Sequence, residues 1–182
     1  MNKLAHIPNS GQYNSDMNDE PREVQAGELL IARGFKLAVA ESCTGGLIAH
    51  RITNVPGSST YFMGGITAYT YEAKARLLGV EWETLQTFGA VSRETVLEMA
   101  RGVRQVLAAD VGLSVSGIAG PGGGTPEKPV GLVWIGLSMP WVEDAWEFIW
   151  KGDRLKNKEL SAEKALEILI DYLRQTPPLK AD

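Results

Sequence analysis

The first group of residues able to do chemistry surrounds a serine, Ser42, in the segment AESCTGG at residues 40–46. The segment lies between a predicted buried strand and a predicted helix, so the hydroxyl is placed at the carboxyl end of a sheet, where α/β proteins bind ligands. The amides of Thr44, Gly45 and Gly46 would lie at the helix start and could stabilise an anion or an oxyanion. The alternative is an ordinary N-cap, in which the hydroxyl only satisfies backbone amides.

Two adjacent side chains, Ser42 and Cys43, are candidate nucleophiles. A thiol is the stronger nucleophile, but it needs a base nearby. His50 lies about 10 Å further along the predicted helix, at ~1.5 Å per residue, and His6 lies near the amino terminus. We therefore expect Cys43 to be a packing residue. Ser42 with a lysine or a tyrosine as its base remains open.

A second candidate group is the segment YTYEAK at residues 69–74, where a predicted strand leads into a helix. Lys74 could act as a general base if burial or positive charge nearby lowers its pKa, and Tyr69 could relay a proton. The pattern alone fits more readily with a solvated Lys74 beside Glu72 and with Tyr69 as an ordinary strand aromatic.

Two later segments have the composition of ligand-binding loops. Residues 117–131 are rich in Gly and Pro, which is typical of a backbone that wraps a phosphate or a sugar. Neither a Walker loop nor a dinucleotide fingerprint is present. Gly152, Asp153 and Arg154 precede the last predicted helix, and the planar fork of an arginine suits a phosphate or a carboxylate. The alternatives are a surface loop and a turn with a solvated arginine.

The elements that would position these groups alternate along the chain. Strands alternate with helices up to Ser116, and two strands then follow one another, which predicts a mixed sheet with helices on both faces. The predicted helices are 24–34, 44–53, 72–78, 92–109 and 155–173, and the predicted strands are 36–40, 60–71, 111–116, 131–138 and 144–151.

Composition narrows the class of protein. The chain has 182 residues, 44% of them hydrophobic, with 18 basic and 22 acidic side chains, and this mild acidity argues against binding to nucleic acid or to a membrane surface. One cysteine and two histidines argue against a disulfide and a Cys- or His-rich metal site. No stretch has the length of a membrane span or the core of a signal peptide, so we expect a cytoplasmic protein. Residues 1–22 are predicted to form a flexible tail, and residues 23–176 a single domain.

Four segments, in this order and at this spacing, resemble the CinA C-terminal domain family, which includes nicotinamide-nucleotide amidases. The resemblance extends from Val24 to Tyr172. The segments that carry it are residues 40–46, 69–74, 116–121 with 129–131, and 152–154.

The resemblance implies a three-layer α/β/α sandwich with a mixed, mostly parallel sheet of about five strands, in a homodimer or a higher homo-oligomer. It implies deamidation of nicotinamide mononucleotide to nicotinate mononucleotide and ammonia, with no metal and no cofactor. In the family, a serine matching Ser42 is the nucleophile, and residues matching Tyr69 and Lys74 assist it. Positions matching Ser116 and Arg154 help to form the substrate site. With the loop residues singled out above, the predicted substrate-binding set is Thr44, Gly45, Gly46, Ser116, Gly117, Gly120 and Arg154.

The chain departs from the family pattern at three positions. Tyr71 replaces a common asparagine, Leu132 a frequent threonine, and Lys158 a second arginine. We expect these departures to affect substrate affinity more than chemistry. The alternative function is a non-catalytic nucleotide-binding or regulatory module of the same fold. The presence of Ser42, Tyr69 and Lys74 favours the enzyme.

Overall fold

The computed structural model describes residues 20–177. Residues 1–19, which make up nearly all of the predicted tail, lie outside this range, so the domain boundaries at 1–22 and 23–176 stay predictions. The described elements are, in chain order, α1 (Arg22–Arg33), β1 (Leu37–Glu41), α2 (Leu47–Thr53), a 3₁₀ turn (Ser58–Thr60), β2 (Phe62–Thr67), α3 (Tyr71–Leu78), α4 (Trp82–Phe88), α5 (Arg93–Val106), β3 (Val111–Gly117), β4 (Leu132–Met139), β5 (Val142–Ile149) and α6 (Arg154–Gln175).

The five strands form one sheet in the order β2-β1-β3-β4-β5. Strand β1 pairs in parallel with β2 and β3, whereas β3 with β4 and β4 with β5 pair antiparallel. Because only β4 is reversed, the other four strands run in one direction. The predicted mixed α/β sheet is confirmed, and the carboxyl ends of β1, β2 and β3 meet at one edge.

Alternation along β1 divides the core into two layers. Leu37 and Val39 pack in the larger cluster with α1, α2 and α6, whereas Ala38 and Ala40 pack in a second cluster with α3, α4 and α5. Strand β1 is therefore buried on both faces, as expected for the centre of a three-layer domain.

Helix α5 lies very close to the sheet because two strand residues have no side chain. A Cβ atom at Gly112 would lie 2.0 Å from the carbonyl oxygen of Ala100, and one at Gly136 would lie 2.6 Å from that of Val96. The Ser114 hydroxyl donates to the same Val96 carbonyl at 2.6 Å. This close packing fixes the height of α5, and of the segment before it, over the sheet.

The structure corrects several predicted boundaries. Helix α2 begins at Leu47 instead of Thr44, because Gly45 and Gly46 adopt left-handed backbone conformations with φ of 66° and 94°. The strand predicted for residues 60–71 is only Phe62–Thr67. Helix α4 was not predicted, since it is one short helix that buries only Thr84 and Leu85. No helix between residues 20 and 177 has the length and apolarity needed to cross a membrane.

Candidate active site

A buried serine–lysine pair lies at the carboxyl end of the sheet. Ser42 follows the last residue of β1, and Lys74 lies in the first turns of α3. The Nζ atom of Lys74 is 2.9 Å from the Ser42 Oγ and donates to the carbonyl oxygen of Ala68 at 2.7 Å. Lys74 is only 1% exposed, so it is not the solvated helix residue that the sequence pattern alone favoured.

Burial changes the protonation of Lys74. Loss of water around the ammonium lowers the pKa of Lys74 from 10.5 to about 8, and the neighbouring Cys43 opposes this shift only in part. Roughly a tenth of the amines would be neutral at pH 7, compared with a negligible fraction at an ordinary lysine. Lys74 can therefore accept a proton from a hydroxyl at near-neutral pH.

The thiol of Cys43 is in an environment that makes it unreactive. Its side chain is buried, and burial raises the pKa of the thiol to about 12. A thiol of that kind stays protonated and is a poor nucleophile. The structure thus agrees with the expectation that Cys43 packs beside Ser42.

Glu41 has a role that the sequence analysis missed. Its buried carboxylate accepts hydrogen bonds from the amides of Gly46, Ile48 and Ala49, at 3.0, 3.1 and 2.9 Å. The amide of Gly45 donates to the carbonyl oxygen of Ser42. The start of α2 is therefore already occupied by an anion of the chain itself, and the predicted oxyanion donors Gly45 and Gly46 are wrong in that role.

Two amides directly after Ser42 make no hydrogen bond within the described backbone. Within residues 20–177, the N–H groups of Cys43 and Thr44 donate to no backbone carbonyl oxygen, and both face the Cys43 sulfur. The Thr44 hydroxyl is also buried without a hydrogen-bond partner in that range. Of the three predicted backbone donors, only the amide of Thr44 is not bound to Glu41 or to the carbonyl oxygen of Ser42, and Thr44 itself is fully buried.

The pair opens into a cavity of about 260 Å³. Of the predicted site residues, seven line it, whereas Thr44, Gly45 and Gly46 do not. Its lining residues are Ser42, Cys43, Tyr69, Tyr71, Lys74, Ala90, Val91, Ser116, Gly117, Ile118, Ala119, Gly120, Gly122, Gly123 and Arg154. Across residues 20–177, no three His, Cys, Asp or Glu side chains come together in a way that could hold a metal ion.

Tyr69 and Arg154 meet at the open side of the cavity. The guanidinium of Arg154 donates to the Tyr69 hydroxyl at 2.8 Å and to the carbonyl oxygen of Gly120 at 2.7 Å. Tyr69 is 57% exposed, and its hydroxyl is bound to Arg154 and not to the amine of Lys74. Because Lys74 contacts Ser42 directly, a proton transfer between them needs no relay through Tyr69, which lies with Arg154 at the open side of the cavity.

Asn157 holds the turn that carries Arg154. Its side chain is buried, donates to the carbonyl oxygen of Ala119 at 3.1 Å and accepts from the amide of Gly152 at 2.9 Å. The Asp153 carboxylate caps α6 by accepting from the amide of Lys156. Asn157 is not among the residues predicted from sequence, although an amide side chain one turn after a predicted ligand-binding arginine is a signal that could identify it.

Ser116 and Tyr71 both form hydrogen bonds with the backbone of Ala90. The Ser116 hydroxyl donates to the carbonyl oxygen of Ala90 at 2.7 Å, and the Tyr71 hydroxyl accepts from the amide of Ala90 at 3.2 Å. Both side chains also line the cavity. The departure at Tyr71 therefore supports the cavity wall as well as narrowing the cavity.

The other two departures lie outside the cavity lining. Leu132 is buried at the start of β4. Lys158 lies over the loop that carries the serine, with its Nζ 3.5 Å from the position of a Cβ atom at Gly45.

This geometry defines a class of protein: a three-layer α/β domain with a buried serine–lysine pair at the carboxyl end of a mixed sheet. The family model for the CinA C-terminal domain matches residues 19–173. The chain belongs to the CinA C-terminal domain family.

Relatives and solved structures agree with this assignment. The chain is 49% identical over 164 residues to a competence-damage inducible protein of Moorella thermoacetica, covering 90% of this chain and 40% of the relative. The structure of competence damage-inducible protein A from Klebsiella pneumoniae superposes with a TM-score of 0.82 at 33% identity, covering 84% of this chain and 95% of the other. A competence/damage inducible protein from Agrobacterium tumefaciens gives a TM-score of 0.79 at 42% identity, covering 85% and 96%.

The chain spans only about two fifths of the length of the curated relatives it matches. The solved structures, in contrast, are covered almost completely.

Proposed function

We propose that the protein is an amidohydrolase that converts nicotinamide mononucleotide to nicotinate mononucleotide and ammonia. The observation that carries the proposal is the 2.9 Å contact between the Nζ of Lys74 and the Oγ of Ser42, made by a buried lysine whose pKa is lowered to about 8. An activated hydroxyl at the floor of a cavity is the arrangement expected for acyl transfer.

In the first half-reaction, the Ser42 hydroxyl attacks the carboxamide carbon while neutral Lys74 accepts its proton. The tetrahedral intermediate collapses as the C–N bond breaks, and the Lys74 ammonium returns the proton to the leaving nitrogen, which departs as ammonia. In the second half-reaction, Lys74 deprotonates a water molecule that attacks the ester carbon. The same proton returns to Ser42 as the ester C–O bond breaks, and nicotinate mononucleotide is released.

The developing oxyanion needs donors near Ser42. The amides of Cys43 and Thr44 donate to no backbone carbonyl oxygen within the described chain, and they belong to the residues directly after the nucleophile. We assign them this role, in place of the Gly45 and Gly46 amides that Glu41 and Ser42 engage. Donors that are already fixed are worth several kcal/mol in such a site.

Recognition of the nucleotide falls to the other side of the cavity. The Arg154 guanidinium has N–H groups beyond the two used by Tyr69 and Gly120, so it can also bind a phosphate. The cavity of about 260 Å³, which is open on the side of Tyr69 and Arg154, is compatible with a mononucleotide whose phosphate lies at that open side. The homo-oligomeric state and the cytoplasmic location stay predictions.

The test is release of ammonia and formation of nicotinate mononucleotide when the purified protein is incubated with nicotinamide mononucleotide. We expect stoichiometric formation of both products by the wild type and none by Ser42→Ala. Cys43→Ser is the matched control, since it changes the adjacent residue and should keep most of the activity. Tight binding of the nucleotide by the wild type without any ammonia would instead support a non-catalytic module.

A further inference from the structure

Lys128, a residue that none of the roles above includes, connects two walls of the cavity. It lies in the loop between β3 and β4, and its ammonium donates to the carbonyl oxygens of Phe88 and Val91, at 2.5 and 2.7 Å. Phe88 is the last residue of α4, and Val91 lines the cavity. One side chain thus joins the glycine-rich loop to the segment between α4 and α5.

The segment of residues 88–91 depends on side chains for its hydrogen bonds. It lies between two helices, and each of its four carbonyl oxygens accepts from a side chain. The donors are Lys128 to Phe88, Ser92 and Thr95 to Gly89, Ser116 to Ala90, and Lys128 to Val91. Two of the four carbonyls would lose their side-chain donor if Lys128 were absent.

The glycine-rich loop is held at two places. Its first part is tied to α6, through Asn157 at Ala119 and Arg154 at Gly120. The second part forms a tight turn in which the amide of Lys128 donates to the Thr125 hydroxyl, and the amide of Thr125 donates to the carbonyl oxygen of Lys128. That turn presents the Lys128 side chain to residues 88–91. Gly122 and Gly123, which line the cavity, lie between the two attachments.

We propose that Lys128 is a positioning residue that closes the cavity wall, holding Ala90 and Val91 on one side and Gly122 and Gly123 on the other at the distance that the substrate requires. Its ammonium lies over Gly89, where a Cβ atom would be only 3.2 Å from the Nζ. Gly89 has a φ of 77°, and the turn that it makes brings the carbonyl oxygens of Phe88 and Val91 to one cation. This role depends on the proposed function only in that the substrate is taken to be nicotinamide mononucleotide.

Lys128 acts on substrate binding and leaves the chemical step unchanged. The Ser42–Lys74 contact is made by β1 and α3 and includes no atom of residues 88–91 or of the loop. Loss of the ammonium should therefore loosen the walls, whereas the pH dependence set by Lys74 should stay as it is. A lysine-to-methionine change keeps most of the aliphatic stem and removes the charge and all three donors.

The experiment compares wild type with Lys128→Met, Lys128→Arg and Lys36→Met. Lys36 is the matched control, because its ammonium also donates to a backbone carbonyl, that of Thr60, but at the amino end of β1. For nicotinamide mononucleotide we expect Lys128→Met to raise KM about tenfold with kcat changed less than about threefold and an unchanged pH profile of kcat/KM. Lys128→Arg should recover part of the loss, and Lys36→Met should match wild type.

Amide hydrogen exchange on the ligand-free proteins supplies a readout that needs no catalysis. Lys128→Met should accelerate exchange at residues 89–91 and 119–125 and nowhere else, and Lys36→Met should not. Unchanged exchange at both segments, or a kcat loss that equals or exceeds the KM change, would overturn the proposal. If no protein releases ammonia but exchange responds as described, the proposed substrate is wrong and the role of Lys128 stands.

Discussion

The two sides of the cavity are built in opposite ways. On the inner side, Ser42, Lys74 and Glu41 are buried, and their polar atoms are held by short contacts within β1, α2 and α3. On the outer side, Tyr69 is exposed, and Arg154 reaches across from α6 to a glycine-rich loop. The inner side holds the proposed nucleophile and base in a setting that lowers the pKa of Lys74, whereas the outer side can adjust to a ligand. We infer that chemistry depends on the first and recognition on the second.

The largest expected effect is at the nucleophile. Ser42→Ala should lower kcat by more than about 10⁴-fold, because the attacking atom is lost, while nucleotide affinity changes little. Steady-state kinetics together with calorimetric titration of nicotinamide mononucleotide measures both quantities. The assignment would be wrong if Ser42→Ala kept its activity and Cys43→Ser were folded but inactive. In that case the thiol of Cys43, and not Ser42, would be the nucleophile.

The next effect is at the base. Lys74→Met should lower kcat/KM by about 10²–10⁴-fold, the usual contribution of a general base. Lys74→Arg should fail as well, since a guanidinium does not release its proton in this pH range. The wild-type kcat/KM should rise with pH and level off above about 8, where the amine becomes neutral, and this limb should be missing from both variants. Near-normal activity of Lys74→Arg would make Lys74 only a positioning charge.

A smaller effect, of a different kind, is expected on the outer side. Arg154→Lys keeps the charge but loses the fork that contacts Tyr69 and Gly120 together, so KM should rise about tenfold with little change in kcat. Lys156→Arg is the matched control, two residues further along α6 and exposed. A change in kcat as large as that in KM would contradict the assignment of the outer side to recognition, because Arg154 would then act in the chemical step.

The smallest effect is expected for Tyr69→Phe. The hydroxyl accepts from Arg154 at an exposed position, where water weakens contacts with charged groups to less than about 1 kcal/mol. Its loss should therefore raise KM only two- to threefold. The pH profile of kcat/KM should keep the limb set by Lys74. If Tyr69→Phe lost that limb, Tyr69 would have to relay the proton between Ser42 and Lys74, and it would belong to the inner side.

The sequence predicts the inner side only in part. The strand–serine–helix pattern places Ser42 correctly, and the position of residues 69–74 at a strand end brings Lys74 to the same edge of the sheet. The direct Ser42–Lys74 contact depends on how α3 packs against α5, which no local pattern encodes. On local pattern alone Lys74 looks solvated, because its burial comes entirely from tertiary contacts.

Glu41 shows a second limit of sequence analysis. A glutamate at the end of a buried strand gives no local sign that it will turn back to bind three amides of the following helix. Without that fact, the helix start looks like a free anion site. The fold class was easier to predict, since the order of helices and strands fixes a mixed sheet, although the short α4 has too few apolar residues to show a period.

The burial of Lys74 also has a thermodynamic consequence for the whole domain. Its pKa is about 8 in the folded protein against 10.5 ordinarily, so between these values the unfolded chain binds more protons and the free energy of unfolding rises with pH. Below pH 8 the domain carries the full penalty of a buried ammonium, on the order of 3 kcal/mol. Lys74→Met should therefore be at least as stable as wild type at neutral pH, and its stability should lack the rise between pH 8 and 10.5. At neutral pH the domain is therefore less stable than it would be without the buried ammonium of Lys74, which is the same group that we propose as the base.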